Sequence, residues 1–205
     1  VPDAQPLGGP VAENSARGAV RRSVLRGLAV GGLLGIGACA ALDETQRPAL
    51  DAIAARMPAE IAGFQRGEVP QRPNDVLTLD YATPNRGAVA TVQVYATGGR
   101  SVPSDPASVE IDREVTSAVM EVTEAPQGRT GRRLTERERF TIADPGLRCA
   151  VMEGAFGRAP VTRHVCVGAA QGRVVKVQVT MATSRTPSAD ATAFAAGALL
   201  AVRGR

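Results

Sequence analysis

Three alternating runs, residues 147–156, 161–169 and 173–182, follow one another with only short glycine-bearing turns between them. An apolar repeat of two residues is the mark of a half-buried strand, and a two-residue loop joins only antiparallel neighbours. The C-terminal half is therefore bound to contain an antiparallel meander. Its register can be counted. Gly157-Arg158 has Gly first, as a type II′ loop prefers, so Phe156 faces Ala159. Ala155 and Pro160 then form a non-hydrogen-bonded pair, where the missing proline N–H costs nothing. The same count sets Cys149 opposite Cys166, again at a non-hydrogen-bonded site, where Cα atoms approach to about 4.5 Å. With Gln171-Gly172 as the next loop, Cys166 faces Val177 in a hydrogen-bonded pair, which is what its other side requires. The two counts agree. Either the two cysteines form a cross-strand disulfide, the expectation taken here, or they are neighbouring buried thiols.

The rest of the chain supplies the remaining elements. A helix is expected over 49–57, between Pro48 and Pro58, then a short strand over 64–69. Runs 76–82 and 89–97 alternate on either side of the turn Pro84-Asn85-Arg86-Gly87, and pairing them sets Leu77 beside Val94 and Leu79 beside Val92. The period then changes. Ile111, Val115, Ala118, Val119 and Val122 recur at helical spacing, with Ser108 or Asp105 as cap and Pro126 as stop. A Gly- and Arg-rich loop leads to a strand over 134–143. A terminal helix over 188–202 presents Ala191, Phe194, Ala198 and Leu199 on one side. The sum is a single α+β domain over residues 48–205, with an antiparallel sheet of about six strands packed against helices. Of 205 residues 44% are hydrophobic and 21% charged, a balance that sustains such a core.

Residues 1–38 read as a different kind of segment. Arg21-Arg22-Ser23-Val24-Leu25-Arg26 precedes the uncharged run 27–42, which has 16 residues, five of them Gly. A cationic cluster, an apolar stretch and small residues at its end form an export signal, and this run is too short for a spanning helix. Arg21, Arg22, Leu25 and Arg26 resemble the twin-arginine family of signals, which implies export of the folded protein. Ile36-Gly37-Ala38-Cys39 is similar to a lipobox, which implies acylation of Cys39 after loss of residues 1–38. Alternatively Ala38-Cys39-Ala40 is a small-x-small site cut after Ala40. Acylation would leave residues 39–47 as a tether and hold the domain at a membrane without a spanning helix. The expected address is periplasmic, lipid-anchored to the inner or the outer membrane. Removing 1–38 takes four of the 24 basic and two of the 20 acidic residues, so the formal charge falls from +4 to +2. A near-neutral domain is no nucleic-acid binder.

The order helix, strands, helix, strand meander, helix resembles the PsbP-like sandwich. Met57-Pro58-Ala59-Glu60-Ile61-Ala62-Gly63-Phe64 and Val92-Gln93-Val94-Tyr95 are similar to stretches of uncharacterised bacterial exported families associated with that fold. The resemblance implies an assembly or interaction factor and carries over no catalytic motif.

Candidate chemistry is sparse. His164 is the one histidine, so a multi-histidine metal cage is excluded, and six aromatics without Trp leave little for base stacking. In the counted register His164 lies beside Val151 and Val179, with no nucleophile at a recognisable elbow, and it reads as a strand histidine satisfied by a hydrogen bond. Glu136 and Glu138, two residues apart, share one strand face, where Arg137 and Arg139 make them a solvated, charge-alternating pattern. Arg129, Arg132 and Arg133 form a loop cluster able to touch anionic headgroups or an acidic protein. No metal, cofactor or catalytic residue is expected. Two functions remain: a non-catalytic interaction module for an envelope protein, or a carrier or sensor of a small apolar ligand held between the sheet and the terminal helix. A filled core favours the first and an apolar cavity the second.

Overall fold

In the computed structural model, Gly157 takes φ +60°, and Gln171 and Gly172 take +54° and +73°. These signs are what loops of types II′ and I′ demand, and the meander follows from them. The structure describes residues 48–68, 75–98, 101–124, 132–184 and 188–205. In chain order they form α1 (Leu50–Arg56), β1 (Glu60–Ile61), β2 (Phe64–Arg66), β3 (Val76–Ala82), β4 (Ala88–Tyr95) and α2 (Val109–Thr123). Then come β5 (Arg132–Ile142), β6 (Leu147–Phe156), β7 (Ala159–Ala170), β8 (Arg173–Ala182) and α3 (Ala191–Arg203). All strands join one antiparallel sheet in the order β1-β2-β3-β4-β8-β7-β6-β5.

The counted registers hold. Cys149 pairs with Cys166, Ala155 with Pro160 and Cys166 with Val177. Leu77 pairs with Val94 and Leu79 with Val92. The sheet has eight strands where the sequence predicts about six. The strand with no forerunner in the sequence is β1, of two residues, joined through Ala62 and Gly63 at φ +48° and +80° to the expected β2, which is shortened to three. Two residues cannot display a period, so β1 leaves no pattern to read.

Helices cover both faces. On one, α1 and α3 bury Phe64, Leu79, Tyr81, Val92, Val177 and Phe194. The Phe194 ring lies 4.5 Å from that of Phe64 and 5.2 Å from that of Tyr81. On the other, α2 covers Met152, Val165, Val167 and Val174 with Ile111 and Val115. This explains why β8 begins Val174-Val175 without alternation: one valine serves each core. Ser108 caps α2 by accepting from Ile111 N, while Asp105 Oδ1 accepts from Ala107 N in the preceding turn. α2 is further held by polar contacts at its borders. Tyr95 donates to Glu114 Oε2 at 2.6 Å, Lys176 reaches Glu121 at 2.9 Å, and Arg139 Nη1 donates to Thr116 Oγ1 at 2.9 Å.

Two expectations are corrected on the edge strand. Arg132 and Arg133 do not lie in a loop; they open β5, opposite Phe156 and Ala155. Glu136 and Glu138 do not share a face. A bulge at Arg137 sets Glu136 opposite Met152 and Glu138 opposite Val151, so the extra residue turns Glu138 to the α3 side. Mixed charges and a bulge also make β5 a poor template for further pairing.

Candidate functional site

β7 carries His164 between Val151 on β6 and Val179 on β8, as counted. The side chain stands on the α3 face, where α3 begins. There Asp190 caps the helix: its Oδ1 accepts from Thr192 N at 3.0 Å, Ala193 N at 2.9 Å and Thr192 Oγ1 at 2.7 Å. Those three bonds fix the start of α3 at Ala191, later than the sequence predicts. Between the end of β8 and this cap opens a cleft of about 390 Å³. Thr162, His164 and Thr192 give it polar walls, and Met181, Ala182 and Ala191 apolar ones.

The electrostatics follow from the same placement. Burial pushes the His164 imidazole below its ordinary pKa, against the pull of Glu138 and Asp190, which favour its charged form. His164 Nδ1 is buried and has no hydrogen-bond partner among the described residues, so the hydrogen bond expected of a strand histidine is not found at that nitrogen. Asp190 is held below the usual carboxylate range, chiefly by the bonds from Ala193 N and Thr192 Oγ1. Thr192 Oγ1 is committed to Asp190, and Thr162 Oγ1 shares a hydrogen with Thr183 Oγ1 at 2.9 Å. His164 Nδ1 is thus left without a hydroxyl or carboxylate partner among the described residues.

The sequence-predicted residues are distributed elsewhere. Cys149 and Cys166 lie at disulfide distance, with Sγ–Sγ 2.13 Å and Cα–Cα 4.1 Å, both buried beneath α3. Arg21, Arg22, Leu25, Arg26, Cys39 and Arg129 lie outside the described residues. Arg133 is exposed at the start of β5, and the arginines that follow it on the strand are paired: Arg137 with Glu153 at 3.1 Å and Arg139 with Glu136. No protein-family model matches the chain, and no curated protein matches it. Among the described residues no group of three or more His, Cys, Asp and Glu could hold a metal ion, and no helix is long and apolar enough to cross a membrane.

The cleft leaves no mark in the sequence because its walls come from β7, β8 and the α3 cap, which share no local motif. The one available signal was Asp190-x-Thr192 before an alanine-rich helix, a cap signature.

Proposed function

We propose that this chain is a non-catalytic exported module that works by contacting an envelope protein, tethered to a membrane through an acylated Cys39. The observation that carries this reading over a ligand carrier is the filling of the space between the sheet and α3. A methyl group at Gly168 would come within 2.8 Å of Leu199 Cδ2 and 3.0 Å of Leu147 Cδ2. One at Gly197 would lie 2.7 Å from Ile61 Cγ2. At these two points, beneath the middle and end of α3, a single carbon has no room, and neither has an apolar ligand. The element order on which the PsbP-like resemblance rests is the order of the domain, which supports the same reading. A small-ligand role is favoured by one observation only, the open cleft at the cap of α3.

The intact mass of the processed protein tests the address. Added acyl mass on Cys39 is expected. Recovery of the unprocessed chain from the cytosol would remove the tether and the envelope partner together.

A further inference from the structure

The arginines of the domain are not all held alike. Arg137, Arg139 and Arg148 hold carboxylates. Arg56, Arg66 and Arg203 hold main-chain carbonyls. By contrast Arg86, Arg113, Arg133, Arg158 and Arg205 are exposed and pair with no carboxylate among the described residues; Arg113 lies on α2 and Arg205 beyond the end of α3, which leaves Arg86, Arg133 and Arg158. These three come from separate segments: the β3–β4 turn, the start of β5 and the tip of the β6–β7 hairpin. The registers bring them to one end of the sheet, since Ala88 pairs with Met181, Thr162 with Met181, and Arg133 with Ala155 beside the hairpin tip.

The His164 cleft opens at this same end. Ser188 Oγ donates to Gly87 O at 3.0 Å, which joins the Arg86 turn to the segment bordering the cleft. On the other side Arg133 shares the α3 face with Ala155 and Pro160, next to Thr162. A recess with Met181, Ala182, Ala189 and Ala191 on one side, polar groups on the other with the Asp190 carboxylate committed to capping α3, and guanidinium groups free of carboxylate partners among the described residues at its border has the make-up of a docking surface: a pocket for one anchoring side chain and a charged rim around it. Guanidinium forks match carboxylates. Arg86 and Arg158 sit on turns about three strand spacings apart, on the order of 14 Å. That spread suits an extended acidic segment better than one small anion.

The tether read in the previous subsection bears on the occupant. Pro48 O accepts from Arg173 Nη1 at 2.8 Å, at the β7–β8 turn. The chain therefore joins the domain at the opposite end, about 36 Å away along a strand of 12 residues. A tether entering there would leave the arginine end the part of the domain farthest from its point of entry.

We infer that the loop end of the sheet, with Arg86, Arg133 and Arg158 around the cleft of Thr162, His164, Met181 and Ala191, docks an acidic protein segment that inserts one small apolar side chain. This deepens the interaction-module reading and rests on it.

The test uses the full chain and a fluorescein-labelled peptide of Glu and Asp with one central Leu, read by anisotropy at low and high salt. Saturable, salt-sensitive binding is expected. The variant Arg86→Gln/Arg133→Gln/Arg158→Gln should bind about tenfold more weakly, the scale of several exposed ion pairs lost together. Arg113→Gln on α2, away from the cleft, should bind as wild type. The lone imidazole gives one NMR reporter, and the His164 resonance should move when the peptide binds. Absent binding, or equal binding by the triple variant with unchanged unfolding temperature, overturns the proposal. So does arginine-dependent binding to phosphatidylglycerol-containing vesicles without peptide binding, which would make this end a lipid contact. Cross-linking to an envelope protein that survives in the triple variant overturns this surface alone and leaves the module reading standing.

Discussion

Lys176 is the one lysine in the chain, and it sits in an unusual place. It is 7% exposed on β8, with Nζ 2.9 Å from Glu121 and 5.7 Å from the centre of the Tyr95 ring. Its partner Glu121 remains 55% exposed. The two members of the pair are therefore unequal. Removing the carboxylate strands a buried ammonium, whereas removing the ammonium leaves a carboxylate that water can solvate. Glu121→Gln should cost about 1–2 kcal/mol and Lys176→Met close to nothing, as read by urea unfolding. Equal losses would mean that the pair acts through contact area alone. His164 makes a pH prediction. Its folded pKa is lowered by burial, so the unfolded chain binds the proton more tightly. The stabilisation is full above the unfolded value of about 6.5 and is lost as the pH falls through and below it. Glu138 on β5 and Asp190 at the α3 cap oppose the shift and reduce it. The imidazole NMR midpoint should fall below 6.5, and His164→Gln should flatten the stability curve between pH 5 and 7. A midpoint above 6.5 would mean that the two carboxylates outweigh burial.

At the level of elements, caps and turns decide more than periodicity does. Asp190 satisfies two main-chain donors at the start of α3, so Asp190→Ala should cost about 1 kcal/mol. Ser108 makes one long bond of 3.4 Å to Ile111 N, and Ser108→Ala should cost less. Thermal unfolding that ranks them the other way would contradict the hydrogen-bond account. Gly154 shows the reverse constraint. A Cβ there would lie 1.8 Å from Arg133 O, a main-chain atom with no rotamer to yield. The meander was legible because strong alternation met glycine turns, and two independent counts converged on Cys149 and Cys166. The α2 stripe was legible for the same reason, since a period of 3.6 over three turns is hard to mimic. The bulge at Arg137 was not. On an edge strand with polar residues on both faces, an inserted residue changes no apolar pattern, so Glu138 reads as though it faced the same way as Glu136. The start of β5 was hidden likewise, because Arg132 and Arg133 carry no strand signal of their own.

Across the whole molecule, local and distant ties do different work. The Cys149–Cys166 link joins residues 17 apart in a hairpin already registered by its turn. Closing so short a loop removes little freedom from the unfolded chain, so reduction should cost about 3 kcal/mol at most. Phe194 instead brings the last helix onto Phe64 and Tyr81, near the other end of the domain, and it is fully buried. Truncating it leaves an apolar void beneath α3, where Phe64, Tyr81 and the β4 valines lose their shared neighbour, a loss of about 3–5 kcal/mol. The two penalties can be compared on one preparation by guanidinium unfolding, with and without reductant. Phe194→Ala should lower the midpoint more than reduction does. The reverse order would place the stability of the fold in its bridge rather than in the packing that closes the chain upon itself.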